Sequence, residues 1–144
     1  MGAVLDTFPA VARLLRLRDE MLELERQGNS VQIESWHTFA EGLVARTILI
    51  PAGTALIGAE HKAEHLNICH GDIDVLTNQG PLRLTGYHVL PSLPGTKRAG
   101  WAHADTYWTT VHLNPGNERD IAKLEDALIV DPNQLQSRRL ALVE

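Results

Sequence analysis

From about Pro9 to Gln27 the apolar residues Leu14, Leu17, Met21 and Leu24 recur at intervals of three, four and three, and Val11 extends the row. That spacing keeps side chains on one face of an α-helix. Leu15 and Leu22 broaden the stripe, while Arg13, Arg16, Arg18, Asp19, Glu20, Glu23, Glu25 and Arg26 supply a wet face. Thr7 suits the cap, Pro9 the first turn and Gly28-Asn29 a left-handed stop. The helix either lies on its own domain or pairs with another subunit. Its coiled-coil-like spacing runs for only about two heptads, which decides neither.

From Val31 to Asn114 the pattern changes to short apolar runs broken by turn residues. Leu43 to Ile50 is rich in branched side chains and ends at Pro51-Ala52-Gly53-Thr54. Leu66 to Thr77 holds two apolar bursts around Gly71-Asp72, followed by the turn signal Asn78-Gln79-Gly80-Pro81. Leu82 and Leu84 alternate with Arg83 and Thr85 before Gly86. Tyr87 to Leu90 then forms a further run, closed by Pro91-Ser92-Leu93-Pro94-Gly95. Tyr107 to Leu113 is the clearest strand. Turns at intervals of roughly 8–12 residues predict an all-β sandwich or jelly roll. Asn117 is the expected cap of a closing helix whose face is Ile121, Leu124 and Leu128, stopped by Asp131-Pro132. The division expected is a helical arm over 1–30, a β domain over 31–114 and a helix with tail over 115–144.

Composition narrows the function. A chain of 144 residues and 15.9 kDa, 44% hydrophobic and 22% charged, fits one globular domain. A net charge of −5 without a basic cluster argues against a nucleic-acid partner. No apolar run approaches the roughly 20 residues of a membrane span, and no signal-peptide pattern opens the chain, so neither a membrane partner nor export is expected. The lone Cys69 excludes an internal disulfide and a multi-cysteine zinc site. It sits in an apolar run, as an inert buried thiol would. A cytoplasmic origin follows, or an assembly built there.

Seven histidines are present, and six fall between residues 61 and 112. The segment from Pro51-Ala-Gly-Thr54 through Glu60-His61-Lys-Ala-Glu64-His65 to Cys69-His70-Gly71-Asp-Ile73 resembles the first motif of the cupin superfamily. A weaker echo of the second motif lies in Gly86-Tyr-His-Val-Leu-Pro-Ser-Leu-Pro94-Gly95-Thr-Lys97-Arg98. The resemblance spans about residues 50 to 114. It implies a β-jelly roll flanked by N- and C-terminal helices, and says little about activity, because cupins include enzymes, binding proteins and inert modules.

The resemblance also implies a metal site built from His-x-His, a later Glu and a His after the second Pro-Gly. Anchored on Gly71, His61 falls near the second histidine and His65 near the glutamate. The first histidine position holds Ala59, which has no ligand atom. The last holds Arg98, a fixed cation that repels a divalent ion. Two of four family ligands are therefore replaced, which argues against turnover, and no catalytic residue and no cofactor are assigned. Alternation along Trp108-Thr-Thr-Val-His112 nevertheless puts Trp108, Thr110 and His112 on one strand face. If that face is the inner one, His61, His65 and His112 form a candidate set for Fe, Mn, Ni or Zn, with Glu64 or Tyr107 as acid–base candidates.

A longer string carries a second resemblance. Ala45 to Thr54, His61 to Asn67, Pro94 to Arg98 and Asp105 to His112 are similar to small cupin-like proteins of tailed bacteriophages and prophages, over about residues 43 to 130. That resemblance implies a structural, oligomerising virion protein. The favoured expectation is a capsid cement protein whose partners are further copies of itself and the major capsid protein. Its interface residues would be Val11, Leu14, Leu17, Met21, Leu24, Leu140 and Leu142. The alternatives are a metal-dependent isomerase or dioxygenase, or a small-molecule-binding cupin using Arg83 and Arg98 for an anionic group; both would be cytoplasmic. No phosphate loop or nucleophile elbow is present. Asp72 and Asp74 share a strand face as a solvated pair. His70, His88 and His103 belong to turns or strand edges, and His37 packs near Trp36.

Overall fold

The computed structural model describes residues 31–77, 80–136 and 138, together with 16, 19–23 and 26–28. Residues 19–23 are helical, and Met21 is half-buried there. The remaining expected interface positions, Val11, Leu14, Leu17, Leu24, Leu140 and Leu142, lie outside the described residues.

Seven antiparallel strands carry the fold: β1 (Glu34–Ala40), β2 (Leu43–Ile50), β3 (Ala55–Ile57), β4 (His65–Thr77), β5 (Gly80–Ser92), β6 (Arg98–Ala102) and β7 (Thr106–Leu113). Their order is β1-β2-β7-β4-β6-β3, with β5 on the other edge of β4. One helix, α1 (Ile121–Leu128), and a short 3-10 turn, Pro132–Gln134, follow.

The turn residues explain how the sheet curls. Leu66 to His70 of β4 pairs with β7, whereas Ile73 to Thr77 pairs with β6, so one strand passes from one wall to the other. The change falls at Gly71, which stands opposite Gly86 of β5. Both have positive φ, 153° and 80°. A Cβ on Gly71 would come within 2.7 Å of the Thr106 Cα, so close approach as well as dihedral angle requires glycine. Gly86 therefore bends a continuous strand and does not split it into the two short runs that its flanking residues suggest.

Inside the curl, Ile50, Cys69, Ile73, Val75, Leu84 and Ala102 form the buried core, with Ile48, Leu56, Leu90 and Trp108 packed against it. Alternation along β2 places Val44, Ile48 and Ile50 inward, as a strand with one wet face demands. Burial lifts the Cys69 thiol above its ordinary pKa, so it stays protonated as an inert core residue. The cap of α1 is Asp120, not Asn117. Asp120 Oδ1 accepts from the Lys123 N–H, whereas Asn117, with φ 50°, uses its side-chain oxygen to hold the Gly42 N–H. Among the described residues no helix is long and apolar enough to cross a membrane.

Candidate metal centre and its cavity

Two strands and one loop supply the histidines. The β4–β7 ladder pairs Leu66 with Val111, which sets His65 and His112 side by side where the two strands meet, both pointing inward and buried. His61 arrives from the loop before β4. That loop is pinned by the end of α1: His61 bridges to Ile129, the Lys62 N–H donates to the Leu128 carbonyl (2.8 Å), and the Val130 N–H donates to the Glu60 carbonyl (2.9 Å). The Gly95 N–H holds the His61 carbonyl from the opposite side at 3.1 Å. The closing helix, with Leu124 and Ile129 buried beneath it, is thus part of the site.

The three rings stack closely, with centroids 4.2 Å (His61–His65), 4.6 Å (His65–His112) and 4.8 Å (His61–His112) apart. One potential ligand nitrogen from each lies within 4.8 Å of the others. His61 Nδ1 and His112 Nε2 are hydrogen-bonded at 2.7 Å, one donating to the other. His65 Nδ1 donates to the Ala63 carbonyl at 3.0 Å, which fixes the tautomer that leaves a lone pair on Nε2. That Nε2 is buried and has no hydrogen-bond partner. Burial above all, then the neighbouring imidazoles and the Arg46 and Arg98 guanidiniums, pushes the His61 pKa down to about 3. Burial and His65 push His112 down to about 4, and burial lowers His65 as well. All three are neutral at physiological pH, the state a metal ligand requires.

The triad opens into a cavity of about 90 Å³ bounded by Arg46, Ile48, Leu56, Arg98, Trp108 and Thr110. Ala59 lines it too, as does Asn67. The Arg98 guanidinium lies 5.8 Å from the Trp108 ring centre, and the indole N–H of Trp108 donates to Asn67 Oδ1 at 3.1 Å. Asn67 in turn donates to Ser92 Oγ at 2.7 Å, so a buried polar chain sets the ring against which Arg98 lies.

Arg46 was missed by the motif comparison. Its signal is a lone cation on the inward face of β2, between Val44 and Ile48. Arg83 is not beside Arg98 in this cavity. It sits exposed on β5 and grips Asp72 through two hydrogen bonds of 3.0 and 2.9 Å. Glu64 is exposed and Tyr107 faces outward, 44% accessible, so neither acid–base candidate lines the cavity. Asp74 pairs with His103 at 2.8 Å, His88 contacts the Thr85 carbonyl, and His37 stacks on Phe39. These histidines stand apart from the triad.

No protein-family model and no curated protein matches this chain. Solved structures do. Salicylate 1,2-dioxygenase from Pseudoaminobacter salicylatoxidans, in adducts with gentisate, is 14% identical and superposes with a TM-score of 0.51, over 80% of this chain and 34% of the dioxygenase. The fold is a cupin jelly roll. A cupin superfamily protein from Desulfitobacterium hafniense matches at 14% identity over 58% of this chain and 79% of its own (TM-score 0.48). A cupin-2 domain protein from Shewanella frigidimarina matches at 6% over 62% and 90% (TM-score 0.47). At such identities the likeness concerns the fold alone, and the chemistry must be read from this chain's own residues.

Proposed function

We propose that this cupin binds a transition-metal ion through His61, His65 and His112 and uses the adjoining cavity to take a small molecule. The observation that carries the reading is the unpartnered, buried His65 Nε2 beside two further neutral imidazoles. A buried polar nitrogen without a partner costs on the order of 1–3 kcal/mol, which a metal bond would offset. An all-nitrogen set of three suits Zn, Ni or Fe, and three protein ligands are the usual number for a centre that keeps an exchangeable position. Such an ion, when bound, would act as a Lewis acid or a redox centre toward the small molecule. The chain's own residues hold the ligand nitrogens unprotonated, exclude bulk water with Ile48, Leu56 and Trp108, and orient what enters through Arg46 and Arg98.

The test is elemental analysis of the full chain after exposure to Zn2+, Ni2+ and Fe2+ and exhaustive dialysis. About one ion per chain is expected, lost in His61→Ala/His65→Ala with the fold retained by circular dichroism. A wild-type protein that emerges metal-free from all three ions would refute the reading. The capsid-cement role, with its homo-oligomer and capsid partners, rests on the phage resemblance alone and draws no support from the described residues.

A further inference from the structure

We propose that the cavity beside the histidines is a carboxylate site, in which Arg46 and Arg98 receive the anionic end of a small organic acid. The assignment deepens the metal-binding reading, since it names the ligand class for the same cavity.

Two of the chain's other guanidiniums set the contrast. Arg83 holds Asp72, and Arg138 holds both Glu125 and Asp126, at 3.2 and 3.0 Å. Arg83 has found its carboxylate at the surface, where pairing stabilises least, and Arg138 has found one part-buried partner and one exposed one. Arg46 and Arg98 are half-buried, yet among the described residues no carboxylate lies within ion-pair distance of either. The Nε of Arg46 is buried with no hydrogen-bond partner at all. Burial holds both guanidiniums below their ordinary pKa; Glu125, already held by Arg138, offsets this at Arg46 only in part, and nothing offsets it at Arg98. Two fixed cations lining one cavity are costly unless an anion joins them.

Geometry narrows the anion. The Trp108–Asn67–Ser92 chain fixes the ring against which the Arg98 guanidinium lies, and the planar donors of that guanidinium match a planar carboxylate. Ile48, Leu56, Ile73 and Val75 make a large apolar part of the remaining wall. A free inorganic anion would leave that surface unfilled. Volume sets the upper size: at roughly 10–15 Å³ for each enclosed water, 90 Å³ corresponds to a ligand of about six to nine heavy atoms. Nucleotides and sugar phosphates are too large. The ion and the acid would also support one another. A divalent cation beside two guanidiniums is repelled, as expected of Arg98 from the sequence, and a carboxylate between them removes the repulsion. By reciprocity the ion strengthens the acid's binding by the same factor.

The experiment is calorimetric titration of the chelator-treated full chain, and of the same chain with Zn2+ or Ni2+ added. The probes are acetate, oxalate and benzoate, each against its neutral amide. At least one acid should bind about tenfold or more tightly than its amide. That preference should collapse in Arg98→Met and Arg46→Met, and the metal should raise the acid's affinity. Arg98→Gln serves if a methionine variant fails to fold, and the wild-type acid–amide comparison needs no variant. Equal binding of every acid and its amide overturns the proposal, even if the metal is bound. So does an acid preference that survives loss of both arginines. An acid preference in a chain that takes up no metal leaves the carboxylate site standing and removes the metal-binding reading instead.

Discussion

Acidification should unfold the metal-free protein earlier than its carboxylates alone would dictate. In the unfolded chain each histidine titrates near 6.5, whereas in the folded chain His61 titrates near 3 and His112 near 4. Between those limits the unfolded state binds more protons, so stability is complete above about pH 6.5 and falls as the pH drops toward the folded values. At pH 5 an imidazole that stays neutral in the fold forfeits about 2 kcal/mol relative to pH 7. The pair together forfeits up to about 4 kcal/mol, a large share of the roughly 5–15 kcal/mol that holds a domain of this kind. Urea unfolding of chelator-treated protein at half-unit steps from pH 7.5 to 5 measures the slope. His61→Gln, which cannot titrate, should reduce the loss over that range by about 2 kcal/mol. An unchanged slope in this variant would show that His61 takes up its proton as readily in the fold as in the unfolded chain, and the lowered pKa would be refuted.

Two substitutions separate the frame from the site. Gly71→Ala should cost about 3 kcal/mol or more, because its Cβ meets the Thr106 backbone and its φ of 153° suits only glycine; a shift under about 1 kcal/mol in urea would show that the β4–β5 bend does not depend on that contact. Leu124→Ala and Leu84→Ala both truncate buried leucines, 6% and 4% accessible, and each should cost about 2–4 kcal/mol. Only the first should also weaken metal uptake, measured by competition with a chromophoric chelator, since α1 fixes the His61 loop. Equal metal affinity in the two variants would show that the helix does not position His61.

The long central strands were legible because period-two alternation is a local signal, whereas β1, β3 and β6 drew no reading of their own. Leu43 to Ile50 matches β2, and Tyr107 to Leu113 covers all but the first residue of β7. That Trp108, Thr110 and His112 share one face was readable for the same reason; that the face is the inner one was not. Gly86 misled, since a glycine inside apolar runs marks a break or a bend equally well and only its partner across the ladder decides which. Arg83 and Arg98 looked equivalent as loop and strand cations. Their difference lies in Asp72, which the β4–β5 register brings close to Arg83 alone. The motif alignment set Ala59 and Arg98 where family ligands belong and so suggested a dismantled centre. His112 enters from β7, at a position neither of the two motifs includes, and its approach depends on a pairing between strands far apart in sequence. Arg46 escaped for a related reason: a cation amid branched residues looks like an outward side chain until the neighbouring strands fix which face is inside.

The bridge between His61 and Ile129 has a consequence for the order of events during synthesis. The ribosome releases both jelly-roll walls before it releases the segment that locks the third imidazole in place. A nascent chain halted before residue 129 would carry all its ligands and still lack a formed site. Ion capture would therefore be a late step in the protein's life, shielded from the crowded interval when half-made strands are most exposed to the wrong partners.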